Sequence, residues 1–298
     1  MQHLEFGEGT VHYRADDGIA RVTMSRPEYK NAQNSVMTYA LDDAFQQAVD
    51  DDEVKVVILN GAGGTFSAGH DIGSPGRDHH IEYPRRAALT WSHIGREGAE
   101  HRMGREDEVY LGMCRRWREI PKPIIAEVEG YCIAGGLMLA WVCDFIVASD
   151  NAVFGDPVVQ MGVPGVEYFA HPWAMGVRRA KEFLYTGRRI SADEALEWGM
   201  VNKVVPVAEL STSVEETAAS IAAKPPFGLA LTKRALNACE DAMGMRSGMD
   251  TAYALHHVGH AHNAEMGLGP LGGQGVETMR KKQEWADGIR ALRASDHN

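Results

Sequence analysis

Apolar residues in the first two-thirds of the chain fall into short β-branched runs separated by helix-spaced segments. Gly18-Ile-Ala-Arg-Val-Thr-Met24 alternates and reads as a strand closed by Arg26-Pro27. From Asn34 to Asp50, Val36, Met37, Leu41, Phe45 and Val49 recur at helical spacing. Val54–Leu59 and Pro123–Val128 read as buried strands, and Phe145–Ala148, Ala152–Phe154 and Lys203–Pro206 as shorter ones. Gly130–Gly136 reads as a glycine-rich turn leading into a short apolar helix over Leu137–Val142. Ser191-Ala-Asp-Glu194 is a capping box ahead of a helix, and Pro225-Pro226 separates two later helices. Strands alternating with helices imply an α/β core over residues 1–205, followed by a helical subdomain over 206–298. Residues 72–118 break the pattern. They are rich in Arg, His, Glu and Gly, and are expected to form a mobile, partly helical, lid-like excursion.

With 298 residues and 44% hydrophobic content, the chain can bury one large core. A formal net charge of -11 removes the basic footprint of a nucleic-acid binder and disfavours an anionic membrane surface. Cys114, Cys132, Cys143 and Cys239 form no CxxC pair, so free thiols in a reducing cytoplasm are expected. No apolar run reaches the roughly 18 residues of a spanning helix, and the first residues lack the pattern of a signal peptide. His79-His80 and His93 are too few convergent ligands for a metal, and none is expected.

Two glycine-rich loops follow strands: Gly61-Ala-Gly-Gly-Thr-Phe-Ser-Ala-Gly-His-Asp71 and Gly130-Tyr-Cys-Ile-Ala-Gly-Gly136. Phe66 stands where a GxGxxG fingerprint starting at Gly61 needs glycine, and neither loop contains Gly-Lys-Ser/Thr. Neither is therefore a dinucleotide or Walker-type phosphate cradle. Glycine also lets backbone approach a ligand and turn its N–H inward, and a helix beginning near Gly135 would add unpaired N–H groups at the same place. Two such donors can stabilise a developing oxyanion.

The two loops together carry a family resemblance. Phe66-Ser-Ala-Gly-His-Asp-Ile72 resembles the F-(S/A)-A-G-x-D-(L/I) motif of the crotonase (enoyl-CoA hydratase/isomerase) family. Pro123-Ile-Ile-Ala-Glu-Val-Glu-Gly-Tyr-Cys-Ile-Ala-Gly-Gly136 is similar to its K-P-V-I-A-A-V-N-G-x-A-x-G-G. Arg26-Pro27 with Asn31, Cys143-Asp144, Phe154-Gly155, Gly162-Val-Pro-Gly165, Thr186-Gly187 and Gly199-Met-Val-Asn202 match further family segments in order, over about residues 18–241. The resemblance implies a spiral of ββα units with a C-terminal helical region, assembled as a homotrimer or a dimer of trimers. It implies an acyl-CoA substrate and no cofactor beyond the CoA of that thioester. It also implies that the backbone N–H groups of His70 and Gly135 are the oxyanion donors. CoA would run along the first loop, making Ser67, Ala68 and His70 contacts, with Arg26 and Lys30 as phosphate partners.

The pattern breaks at the proton-transfer residues. Family hydratases use two glutamates, and the matching positions here are Met138 and Val158. Standard hydratase chemistry is thereby put in doubt, since general acid–base help contributes about 10²–10⁴-fold. Glu167 and Asp156 are the candidate replacements, with Asp71 more suited to holding local backbone. Tyr131 and Tyr168 are expected to pack, and His171 to serve as a structural hydrogen-bonding residue. Three activities stay open: a lyase or isomerase acting through an enolate; a thioester hydrolase, decarboxylase or C–C hydrolase using the same donors; and a non-catalytic acyl-CoA-binding protein.

Overall fold

A computed structural model describes residues 2–72, 83–86 and 91–268. Among the described residues, ten strands run β1 (Gln2–Phe6), β2 (Val11–Asp16), β3 (Ile19–Met24), β4 (Val56–Gly61), β5 (Ile124–Val128), β6 (Tyr131–Ile133), β7 (Phe145–Ser149), β8 (Val153–Gly155), β9 (Ile190–Ser191) and β10 (Lys203–Val205). The helices are α1 (Ser35–Asp50), α2 (Gly98–Glu106), α3 (Met113–Arg118), α4 (Gly135–Trp141), α5 (His171–Met175), α6 (Val177–Thr186), α7 (Ala192–Glu197), α8 (Leu210–Ala222), α9 (Pro226–Ala242) and α10 (Met245–Glu265).

Seven strands form one sheet in the order β1-β2-β3-β4-β5-β7-β10, and β6-β8-β9 form a second. The first three strands pair antiparallel; from β3 to β10 the pairs are parallel. Side-chain alternation divides β4 between two cores. Val57 and Leu59 join the main cluster with Met37, Leu41 and Phe45 of α1. Val56 and Ile58 pack on the other face with Leu210, Val214 and Ala218 of α8. Both faces of the parallel strands are thus covered, which is why their sequences are continuous apolar runs rather than alternating ones.

The strand and helix expectations hold at β3, α1, β4, β5, β7, β8 and β10. Asn34 caps α1 by accepting from Met37 N, and Ser191 caps α7 by accepting from Glu194 N. The glycine-rich turn expected at 130–136 contains a short strand, β6, because its backbone pairs with β8. The expected excursion differs in its second half. Residues 98–118 are one continuous helical rod, in which α2 widens into a π-helical turn over Asp107–Gly112 before α3. Val109, Leu111, Met113, Cys114 and Trp117 of this rod are buried in the main core. His79 and His80 lie outside the described residues.

Candidate active site

The loop after β4 is stitched between two neighbours as if it were an extra strand. Ala68 N donates to Lys30 O, Gln33 N to Gly69 O, and Asp71 N to Gln33 O, all at 2.8–2.9 Å. On the other side Ser67 N donates to Tyr131 O, and Ile133 N to Ser67 O. This brings His70 beside the start of α4. A Cβ on Gly69 would lie 3.2 Å from Gly135 N, and a Cβ on Gly135 would lie 3.1 Å from His70 N and 2.4 Å from the His70 ring. Only glycine fits at these two contacts. Ala134, just before, sits at φ 49° and ψ -113°, a strained conformation for a residue with a side chain. Neither His70 N–H nor Gly135 N–H donates to a protein acceptor among the described residues, and Gly135 is the first residue of its helix, where the N–H has no intrahelical partner.

His70 borders a cavity of ≈ 590 Å³, as does Ala134 next to Gly135, and the lining continues through Ala68, Tyr110, Val158, Glu167, Glu106 and His256. The His70 ring stacks on Tyr110 from the π-helical turn, with centroids 3.7 Å apart and planes 6° from parallel. π-turns recur at functional sites because they re-aim side chains within a helix; this one turns Tyr110 onto His70. Burial, more than the nearby His256 and Arg105, lowers the His70 ring to about 3, so it is neutral at physiological pH.

Glu167 is buried, with Oε1 3.8 Å from His70 Nδ1 and 3.7 Å from His256 Nε2. Among the described residues its buried Oε2 has no hydrogen-bond partner. Burial, with Asp156 adding to it, pushes the carboxyl up to about 8. At neutral pH it is mostly protonated and faces the neutral His70 ring, so that contact is not an ion pair. A perturbed carboxyl in a cleft with an open oxygen is placed for proton transfer.

Other expected site residues are used elsewhere. Asp156 is fully buried; its carboxylate takes the Nε2 of His171 at 2.8 Å and accepts from Val158 N and Val166 N. It does not line the cavity but holds the loop carrying Glu167 through Val166 N. Arg26, expected as a phosphate partner, is buried, bonded to Asp71 Oδ2 at 3.0 Å and to Ala32 O. Ser67 Oγ donates to Asn31 O and accepts from Gln33 Nε2 and Gly69 N. Ala68 lines the cavity, and Lys30 is exposed with its ammonium 4.9 Å from the Tyr131 ring, which Arg189 also approaches. Met138 is in the apolar core, whereas Val158 lines the cavity. Tyr168 is wholly buried. His93 is buried with Nδ1 3.7 Å from Glu108 Oε2.

Removing Arg26 should therefore act on the fold. Breaking a buried charged pair from one side costs about 3–5 kcal/mol. Arg26→Ala is expected to lower unfolding free energy by that amount in denaturant titrations followed by circular dichroism.

Sequence reasoning missed Glu106, Tyr110, His256 and His260. The signal for two of them was present: His256 and His260 are four apart on what is now α10, hence on one helix face. Nothing in the local pattern placed that face on the cavity. Contacts distant in sequence do so: His256 Nδ1 to Gly165 O at 2.8 Å, Asn263 Nδ2 to Met161 O at 2.8 Å and Tyr253 OH to Met103 O at 2.5 Å.

A family model described as enoyl-CoA hydratase/isomerase matches residues 14–270. A Mycobacterium tuberculosis protein, provisionally named enoyl-CoA hydratase EchA13, is 45% identical over 266 residues, covering 86% of this chain and 82% of that protein. The short-chain-enoyl-CoA hydratase of Clostridium acetobutylicum is 35% identical over 242 residues, covering 80% and 82%. A Mycobacterium smegmatis crystal structure, provisionally identified as an enoyl-CoA hydratase, superposes with TM-score 0.77 at 42% identity, covering 86% of this chain and 96% of that one. The chain belongs to the enoyl-CoA hydratase/isomerase (crotonase) family. Among the described residues no helix is long and apolar enough to cross a membrane.

Proposed function

We propose that this chain is an acyl-CoA lyase or isomerase that holds a thioester enolate between the N–H groups of His70 and Gly135 and moves the proton with Glu167. The observation that carries this reading is convergence: His70, Ala134 beside the Gly135 donor, and the buried Glu167 carboxyl line a single cavity, and among the described residues neither backbone N–H nor Glu167 Oε2 has a hydrogen-bond partner. The thioester carbonyl accepts both hydrogen bonds, which acidifies the α-carbon as negative charge moves onto oxygen. The carboxyl then gives a proton to, or its ionised form takes one from, the carbon skeleton above it. Apolar Val158 and Met138 leave Glu167 as the proton-transfer residue. A single carboxyl that removes a proton at one carbon and returns it at another supports double-bond migration. CoA enters as part of the substrate, along Ala68 and towards the exposed Lys30.

Exposed apolar side chains on the two long C-terminal helices, Phe227, Leu231, Leu236, Leu255 and Val258, support a homotrimeric contact or a dimer of trimers.

A panel of enoyl-, dienoyl- and β-hydroxyacyl-CoA esters read by mass spectrometry tests the reaction class. Double-bond migration at unchanged mass, or gain or loss of water, agrees with the proposal. Release of free CoA or CO₂ would replace it with the hydrolase or decarboxylase reading. Binding of every ester without turnover would reduce the chain to an acyl-CoA-binding protein.

A further inference from the structure

The far wall of the cavity carries a cluster that the enolate chemistry does not use. His256, His257 and His260 of α10 surround the carboxylate of Glu106 at the end of α2. The Nε2 atoms of His256 and His260 are 3.0 Å apart, and Glu106 Oε2 lies 3.8 Å from the first and 3.9 Å from the second. His257 Nε2 is 3.4 Å from the same oxygen. Despite three imidazoles around it, that buried oxygen accepts no hydrogen bond among the described residues, and His257 Nε2 has no partner among them either. Among the described residues no guanidinium comes within ion-pair distance of Glu106, although Arg102 and Arg105 line the same cavity. The two imidazole nitrogens hydrogen-bond each other beside a carboxylate oxygen that has no partner, so three potential ligand atoms converge on a common centre. Atoms bound to one ion at about 2.0–2.2 Å stand roughly 3–3.5 Å apart. The ligand atoms of Glu106, His256 and His260 already lie within 4.8 Å of one another.

Two further features support this. His256 donates Nδ1–H to Gly165 O at 2.8 Å, which leaves its Nε2 as an acceptor turned to His260 Nε2 within the cluster. A backbone carbonyl behind the ring is the outer support that orients metal-binding histidines. The helix carrying the imidazoles is also held closely: a Cβ on Gly259 would lie 2.4 Å from Gly162 O.

We infer that Glu106, His256 and His260 bind a divalent transition ion of the zinc class at the wall of the acyl-CoA cavity. Two imidazoles and a carboxylate suit such an ion, whereas magnesium and calcium take oxygen ligands. Three protein ligands leave a coordination position open towards the cavity. Glu167 borders the same space, with Oε1 3.7 Å from His256 Nε2. The inference stands on the ligand geometry alone and does not depend on the enolate reading.

The test uses the full chain, purified without a histidine tag, stripped with chelator and titrated with Zn²⁺ by calorimetry, with bound zinc counted by mass spectrometry. One zinc per chain is expected, with no heat from Mg²⁺ or Ca²⁺. Glu106→Gln and His260→Ala should each weaken binding at least about 10–100-fold. His101→Ala, a cavity histidine outside the cluster, should bind as the parent does. Co²⁺ substitution gives a second readout, since its visible absorption reports nitrogen and oxygen ligation and should change in both cluster variants. Failure of the parent chain to bind zinc stoichiometrically at micromolar concentration would overturn the inference. So would binding that survives both substitutions.

Discussion

Glu167→Gln is expected to lower turnover of the acyl-CoA substrate roughly 10²–10⁴-fold while leaving the fold intact. The amide keeps the shape and the polarity of the carboxyl but cannot exchange a proton. The position is 5% exposed, so the substitution meets little solvent that could supply a substitute base. Burial pushes the carboxyl up to about 8, so both protonation states are accessible near neutral pH, as a group that gives and takes a proton requires. Steady-state kinetics with the substrate found by the panel checks this. The expected pattern is a fall in kcat with KM nearly unchanged, because Glu167 acts on the reacting carbons rather than on CoA. A packing role alone would leave kcat within a few-fold of the parent.

The second large effect is expected at Gly135. Gly135→Ala keeps the N–H but places a Cβ 2.4 Å from the His70 ring, which Tyr110 backs at 3.7 Å. The ring cannot retreat without disturbing the stack, so the two donors are forced apart. Losing one oxyanion donor costs about 10²–10³-fold in kcat, and that is the predicted loss. Gly135→Pro would remove the donor outright but also restrict Ala134, already at φ 49°, so it tests two things at once. His70→Ala keeps its own backbone N–H and removes the ring. Adding it to Gly135→Ala should therefore restore part of the lost kcat. A general collapse of the loops would not be restored.

The central strands and the two glycine loops were legible in the sequence because they answer to local rules: β-branched runs, and glycine where a side chain cannot fit. The capping serine at Ser191 was legible for the same reason. Roles set by tertiary pairing were not. Arg26 looked like a surface cation, yet Asp71, forty-five positions away, neutralises it in the interior. Asp156 looked like a free acid, but His171 and two backbone amides occupy it. The polar segment from 98 to 118 looked like an excursion because its charged residues outnumber its apolar ones. Its buried positions follow the shifted spacing of a π-helical turn, which a search at 3.6-residue periodicity does not register. The sequence reading found no metal ligands because it weighed His79, His80 and His93. The α10 histidines acquire a partner only when Glu106 is brought to them across 150 residues (256 minus 106).

The most direct test of the central claim is exchange of the α-proton. Saturated and unsaturated acyl-CoA esters are incubated with the protein in D₂O, and deuterium at the α-carbon is followed by mass spectrometry and NMR. The account predicts wash-in by the parent protein, lost in Glu167→Gln and strongly slowed in Gly135→Ala. Absence of exchange from every ester with the parent protein, or equal exchange by Glu167→Gln, would contradict it.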